Sequence, residues 1–135
     1  MCVDRLHRSI AIAEGFSVLG DLRASIARLE PPIPPELEDP AALVLTELVT
    51  NSLRHDGVAP EERIEITVAR LEEQRVRIEV RDPGPCFDPG TYTEPPPPAE
   101  GGAGLSLVGS VAERWGVEHH EDGWCLVWAE VAPSA

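Results

Sequence analysis

Apolar residues recur at helical spacing in three segments of the chain. The first helix is predicted to follow an N-cap at Ser17 and to end before the prolines of residues 31–35. Its apolar stripe consists of Leu19, Leu22, Ile26 and Leu29. A second helix is predicted from Asp39–Pro40 to Gly57, since an acid and a proline suit a first turn. This helix is apolar on nearly all sides (LVLTELVTNSL over 43–53), so it should be buried. A third helix is predicted over residues 104–115, ending at Gly116.

Alternating apolar and polar residues predict the strands. The alternation is weak over residues 9–13 and clear over 64–68 and 76–80, where a turn at 72–74 predicts an antiparallel hairpin. Residues 117–120 and 124–131 predict a closing hairpin, and residues 82–101 a loop of prolines, glycines and acids. Strands grouped with helices between them predict an α+β fold, a two-layer sandwich with helices on one face of a mixed, mostly antiparallel sheet.

Length and charge narrow the class of protein. A chain of 135 residues suits a single domain over 1–135, and no apolar run is long enough to span a bilayer or to form a secretory signal. The formal net charge of −13 argues against direct nucleic-acid binding, which needs a clustered basic face. The chain has no lysine, which excludes a P-loop ending in Gly-Lys-Ser/Thr and any Schiff-base lysine.

The cysteines and histidines give no metal motif. Cys2, Cys86 and Cys125 form no CxxC pair and are odd in number, so reduced thiols in a cytoplasmic protein are predicted. His119 and His120 are adjacent, so in a strand they would point to opposite faces.

The first candidate cluster lies inside the second predicted helix. Glu47 and Asn51 are four residues apart and share a face, and His55 follows one turn later. Polar groups on a buried helix are costly unless they are paired. A carboxamide oxygen suits Mg²⁺, and a neighbouring carboxylate can accept a proton. The alternative is that these residues line the solvent face of an amphipathic helix.

The second cluster is Asp82-Pro83-Gly84-Pro85, directly after a predicted strand. A carboxylate at a strand end can accept a hydrogen bond from a base amine, and the glycine lets backbone pack against the ring. An ordinary turn is the alternative.

The third cluster is Gly101-Gly102-Ala103-Gly104-Leu105, which opens the third predicted helix. Glycines at this point expose backbone N–H groups at the positive end of the helix dipole, where a phosphate is favoured. Alone, a GxG pattern has little specificity.

Together the clusters resemble the N, G1 and G2 boxes of the GHKL superfamily, with the patterns Glu-x-x-x-Asn, Asp-x-Gly and Gly-x-Gly-Leu. The run ELVTNSLRH over 47–55 resembles the N box of the small anti-sigma-factor serine/threonine kinases, as do GLSLV over 104–108 and ERWGV over 113–117. The resemblance covers nearly the whole chain and implies a Bergerat fold that binds ATP and Mg²⁺ beneath a lid at about 87–100.

The resemblance also implies a role for each residue. Asn51 would coordinate Mg²⁺, Glu47 would be the general base and Asp82 would accept from the adenine amine. The remaining nucleotide-binding residues would be Arg54, His55, Gly84, Gly102, Gly104 and Leu105. Of these, Arg54 is the cation nearest to Asn51 in the sequence. The implied partners are a STAS-domain anti-anti-sigma protein that is phosphorylated, a sigma factor that is sequestered, and a second copy in a homodimer.

The chain departs from the family pattern in the lid and the last strand. No basic residue lies between Asp82 and Glu113, where relatives often carry an arginine. This difference affects the expected rate of phosphoryl transfer more than the expected binding. Cys125 occupies the region where many relatives have a threonine that supports adenine. The alternatives are a catalytically weak, nucleotide-dependent binding module and the catalytic domain of a sensor histidine kinase.

Overall fold

The computed structural model describes residues 5–11, 15–29, 32–53, 62–71, 74–83, 103–120 and 123–133. These residues form three helices and five strands. In chain order they are β1 (Arg5–Ala11), α1 (Gly15–Ile26), α2 (Pro35–Leu53), β2 (Arg63–Arg70), β3 (Val76–Asp82), α3 (Ala103–Val111), β4 (Arg114–His119) and β5 (Cys125–Val131).

The helices are the three predicted, but three of their boundaries differ from prediction. Helix α1 begins at Gly15, so Ser17 lies inside the helix and is not its N-cap. Helix α2 begins at Pro35, before the predicted start, and contains Pro40 in its second turn. Its first turn carries Glu36 and Glu38, which favour the positive end of the helix dipole. Helix α3 ends at Val111, whereas the sequence predicted a helix up to Trp115. The residues from Arg114 onward instead belong to β4, because their backbone pairs with β5.

The sheet has the order β1-β2-β3-β5-β4. Each of these neighbouring pairs is antiparallel, so the mixed sheet of the prediction is replaced, among the described strands, by an antiparallel one. The first strand starts at Arg5 and pairs with β2, which places it earlier than the predicted run over 9–13. The two-layer α+β architecture is confirmed.

The helices cover one face of the sheet, which we call the inner face. On β3 and β5 this face carries Val76, Ile78, Val80 and Asp82, opposite Val131, Ala129, Val127 and Cys125. Helix α2 packs on both strands and is flanked by α1 and α3. Six of its apolar side chains are buried: Leu37, Ala41, Val44, Leu45, Leu48 and Val49. The burial predicted for this helix is therefore confirmed, and the core lies between it and the sheet.

The opposite, outer face of the sheet holds a charged network. Glu130, only 3% exposed, accepts hydrogen bonds at 2.8 Å from both Arg77 and Arg114. Burial alone would raise the pKa of Glu130, but these hydrogen bonds outweigh that effect and hold the pKa below its ordinary value of 4.5. The Arg77 guanidinium also lies 4.3 Å from the ring centroid of Trp128, whose indole covers Gly116.

A cavity of about 200 Å³ also opens on the outer face. It is lined by residues of β1, β2, β3 and β5 together with His120. The inner face, where Asp82 lies, is on the other side of the sheet.

The two outermost strands of the described sheet, β1 and β4, carry several exposed polar residues. Strand β1 presents Arg5, His7 and Arg8 as exposed residues, and β4 presents Arg114, Glu118 and His119. None of the helices in the described part of the chain has both the length and the hydropathy to cross a bilayer.

Candidate functional site

Helix α2 carries the first candidate cluster in the half-buried part of its surface. Glu47 and Asn51 lie on this helix four residues apart, and both are partly exposed beside a core of buried leucines and valines. The Nδ2 atom of Asn51 is buried and has no hydrogen-bond partner among the residues that the structure describes. A buried polar group without a partner costs about 1–3 kcal/mol, so this amide is placed to receive a ligand.

The second cluster meets α2 through one short hydrogen bond. Asp82, the last residue of β3, is fully buried on the inner face, and its Oδ2 accepts a hydrogen bond of 2.7 Å from Ser52 Oγ. Ser52 is itself 1% exposed and directly follows Asn51 in the helix. The structure therefore brings the helix motif and the strand-end motif together, although they are 30 residues apart in sequence.

Ser52 was not predicted as a site residue, although its position in the sequence indicates that it is buried. It lies three residues after Val49 and four after Leu48, on the stripe of α2 that faces the core. A serine on such a stripe needs a partner, and the partner is the carboxylate of the neighbouring motif.

Cys125 lies beside Asp82 on the inner face. The two residues are paired across β3 and β5, and Cys125 is fully buried. Its sulfur is part of a disulfide bond, which contradicts the prediction of reduced cysteines. Two half-cystines that are distant in sequence do not form a motif, so spacing alone gave no sign of the bond. In this form the sulfur carries no proton and donates no hydrogen bond to a ligand.

The third cluster opens α3, as predicted. The helix starts at Ala103, so Gly104 and Leu105 lie in its first turn, where backbone N–H groups have no partner within the helix. Helix α3 packs against α2, and Val108 anchors it in the core. Helix α3 therefore lies against the same helix that holds Glu47 and Asn51.

Several predicted site residues lie outside the described residues: Arg54, His55, Gly84, Gly102 and the predicted lid over 87–100. Within the described ranges, no three His, Cys, Asp or Glu side chains form a group suited to a metal ion.

The chain matches one protein-family model over most of its length. Residues 18–129 match the histidine kinase-like ATPase domain. The chain is also 35% identical, over 82 residues, to an uncharacterised protein of Streptomyces coelicolor, an alignment that covers 58% of this chain and 72% of that protein.

Solved structures with the same fold include three bacterial proteins. The structure of the RsbU and RsbW domains of a Mycobacterium tuberculosis protein matches with a TM-score of 0.65 and 17% identity, over 95% of this chain and 32% of that one. The histidine kinase domain of a blue-light activated kinase from Erythrobacter litoralis matches with a TM-score of 0.55 and 15% identity, over 90% of this chain and 61% of that one. The SiaB–SiaC complex of Pseudomonas aeruginosa matches with a TM-score of 0.53 and 14% identity, over 93% of this chain and 88% of that one. The chain thus spans about a third of the mycobacterial structure and most of the matched Pseudomonas chain.

Proposed function

Since the chain belongs to the histidine kinase-like ATPase domain family, we propose that it binds ATP with Mg²⁺ and transfers the γ-phosphoryl group to a protein serine or threonine. The observation that carries this proposal is the contact between the two motifs. Asn51, with its unpartnered buried amide, and Asp82, held by Ser52, lie on adjoining elements that share one core.

Each described residue has a distinct part in the proposed site. The Asp82 carboxylate accepts a hydrogen bond from the adenine amine, while Ser52 fixes the orientation of that carboxylate. The side-chain oxygen of Asn51 would hold Mg²⁺, an ion that would supply positive charge beside the phosphates, and Asn51 Nδ2 can donate to a phosphate oxygen. The N–H groups of the first turn of α3 add further donors.

Glu47 is the proposed general base. Its carboxylate lies one helical turn before Asn51 and is partly exposed, so an acceptor hydroxyl can approach it. As the hydroxyl oxygen bonds to the γ-phosphorus, Glu47 takes the hydroxyl proton and ADP departs. Arg54, His55, Gly84, Gly102 and the lid over 87–100 are proposed to complete the nucleotide site.

The proposed acceptor is a STAS-domain anti-anti-sigma protein, and the proposed regulated partner is a sigma factor. This follows from the anti-sigma-kinase pattern ELVTNSLRH at 47–55 and from likeness of fold to a structure that contains an RsbW domain. We propose a cytoplasmic location for the same reason, and a homodimer as the assembly.

The first experiment measures the melting temperature with and without MgATP and MgADP. A ligand at about 100 times its dissociation constant stabilises the native state by about 2.7 kcal/mol, which for a domain of this size raises the melting temperature by roughly 10 °C. We expect the shift in the wild type and in Thr46→Ala, because the Thr46 hydroxyl donates to the Ala42 carbonyl within its own helix. It should be lost in Asn51→Ala. Equal shifts in Asn51→Ala and the wild type would contradict the assigned role.

A second candidate function is a nucleotide-dependent binding module without efficient transfer. It is favoured by the absence of any basic residue in the sequence between Asp82 and Glu113, because the moving phosphoryl group then has fewer cations to stabilise it. Transfer from labelled ATP to a STAS-domain protein of the same organism separates the two functions. For the kinase, Glu47→Gln should keep nucleotide binding and lose about 100-fold or more in transfer rate. Nucleotide-dependent association without labelled product, in the wild type, would establish the module instead.

A further inference from the structure

The cavity on the outer face of the sheet lies on the other side of the sheet from the proposed nucleotide site. Its volume of about 200 Å³ has room for roughly seven water-sized groups. Sites for drug-sized ligands are larger, at about 300–1,000 Å³, so this cavity fits a small metabolite. Four of its lining residues are charged: Arg5, Glu65, Glu79 and Arg81. The charges therefore decide which metabolite it can hold.

One of the two carboxylates in the cavity is neutralised by a residue outside the lining. Glu79 Oε2 accepts a hydrogen bond of 2.7 Å from Arg77 Nε, and Arg77 does not line the cavity. With the histidines counted as neutral, the remaining charged groups are the guanidiniums of Arg5 and Arg81 and the carboxylate of Glu65. A ligand with two negative groups and one positive group complements this set.

Glu65 and Arg81 place opposite charges side by side in the cavity. They are paired across β2 and β3, and Arg81 Nη1 lies 3.8 Å from Glu65 Oε2. His7 Nε2 also lies 3.8 Å from Glu65 Oε1. Both distances exceed the roughly 2.7–2.9 Å of a charge-assisted hydrogen bond, so the Glu65 carboxylate can still accept from an ammonium group. Arg81 is stacked on Trp124, 4.6 Å from the ring centroid, and can donate to a carboxylate beside that ammonium.

Arg5 supplies the second positive group from another side of the cavity. It lies two strands from Arg81 and four residues along the sheet, which separates the two Cα atoms by about 17 Å. Both side chains line the same cavity, so the two arginines flank it. Among the described residues, the Arg5 guanidinium has no hydrogen-bond or ion-pair partner. It is therefore available for a second negative group of a ligand.

We propose that the outer-face cavity binds an acidic α-amino acid, at a site separate from that of the nucleotide. The ammonium group of the ligand contacts Glu65, its α-carboxylate contacts Arg81, and its side-chain carboxylate contacts Arg5. An α-amino acid carries its ammonium and carboxylate on one carbon atom, which suits Glu65 and Arg81 because these residues are direct neighbours across two strands. The half-buried Leu126 offers an apolar contact to the ligand's methylene groups.

The test measures the affinity of the full chain for L-glutamate by calorimetry, without nucleotide. A salt concentration of about 0.15 M screens attraction between exposed charges that are more than about 8 Å apart. We expect a dissociation constant on the order of 0.1 mM for L-glutamate. Two further ligands each lack one charged group: glutarate has no ammonium, and L-glutamine has no side-chain carboxylate. Each should bind about tenfold more weakly, because one charge-assisted contact is lost.

Two substitutions assign the contacts. In Arg5→Gln, L-glutamate should lose about tenfold in affinity and L-glutamine should be unaffected, so that the two bind alike. In Glu65→Gln, L-glutamate and glutarate should bind alike, because the partner of the ammonium is gone. Arg23→Gln removes an exposed arginine from α1 and is the matched control, in which the affinities should stay at their wild-type values. Circular dichroism spectra that match the wild type establish that each variant is folded.

Three results would overturn the proposal. The first is that neither L-glutamate nor L-aspartate binds with a dissociation constant below about 10 mM. The second is that glutarate or L-glutamine binds the wild type within about twofold of L-glutamate. The third is that Arg23→Gln weakens binding as much as Arg5→Gln does, since the attraction would then come from overall charge. Failure of the proposed ATP binding would leave the outcome unchanged, because these measurements use no nucleotide.

Discussion

Replacement of Ser52 by alanine should destabilise the protein by about 1–2.5 kcal/mol even without nucleotide. The hydroxyl donates a 2.7 Å hydrogen bond to the Asp82 carboxylate, and both side chains are at least 99% buried, so water cannot replace the lost donor. A hydrogen bond to a charged group contributes about 1.5–3 kcal/mol. The higher helix propensity of alanine offsets about 0.5 kcal/mol of that loss. Urea unfolding followed by circular dichroism measures the difference, with the slope of the transition expected to stay the same.

Ser25→Ala is the matched control. Ser25 is also a buried helical serine, but its hydroxyl donates to the carbonyl of Leu22 within α1, so no carboxylate is left behind. We expect a loss of about 0.5 kcal/mol or less there. The affinity for MgATP should fall only in Ser52→Ala, because Ser52 donates to Asp82 whereas Ser25 donates to a carbonyl of its own helix. If the two variants lost equal stability and bound nucleotide equally well, the coupling of Ser52 to Asp82 would have no energetic role.

Two further predictions concern the sheet and a helix. Because the native pKa of Glu130 is lowered, its stabilising effect is present above 4.5 and is lost as pH falls through the native value. Glu130→Gln should therefore be less stable than the wild type at pH 7 in urea unfolding, and the gap should narrow below pH 4.5; a gap independent of pH would contradict this. In Gly116→Ala the new Cβ would lie 2.9 Å from the Trp128 ring, so we expect a loss of about 1–3 kcal/mol. Gly20→Ala, with nothing within 4 Å on its helix, should instead gain about 0.5–1 kcal/mol, and similar effects of the two substitutions would refute the close contact at Trp128.

Hydrophobic periodicity was sufficient to predict the architecture. The apolar stripe of α1 and the alternation in β2, β3 and β5 record directly which side chains are buried, so their positions agree with the structure. The boundaries agreed less well. Pro40 was taken as a helix start because a proline suits a first turn, but α2 begins five residues earlier, at Pro35. The stretch from Arg114 to Gly116 pairs with β5, and its own sequence does not specify that pairing.

The candidate site was likewise predicted only in part. Local patterns indicated Asn51 and Asp82, since each belongs to a short motif. Contacts between distant segments had no such pattern. The hydrogen bond from Ser52 to Asp82 depends on how α2 lies over β3, and the bonded state of Cys125 belongs to no local sequence motif.

The polar edge strands have a consequence for behaviour at high concentration. An outermost strand offers unpaired backbone groups that can recruit a second sheet, and charged side chains oppose such growth. Here β1 carries the exposed side chains of Arg5, His7 and Arg8, and β4 carries those of Arg114 and Glu118. Together with a net charge of −13, these strands disfavour open-ended stacking of sheets. We therefore expect the protein to resist edge-to-edge association of sheets at high concentration, and any association to use other surfaces.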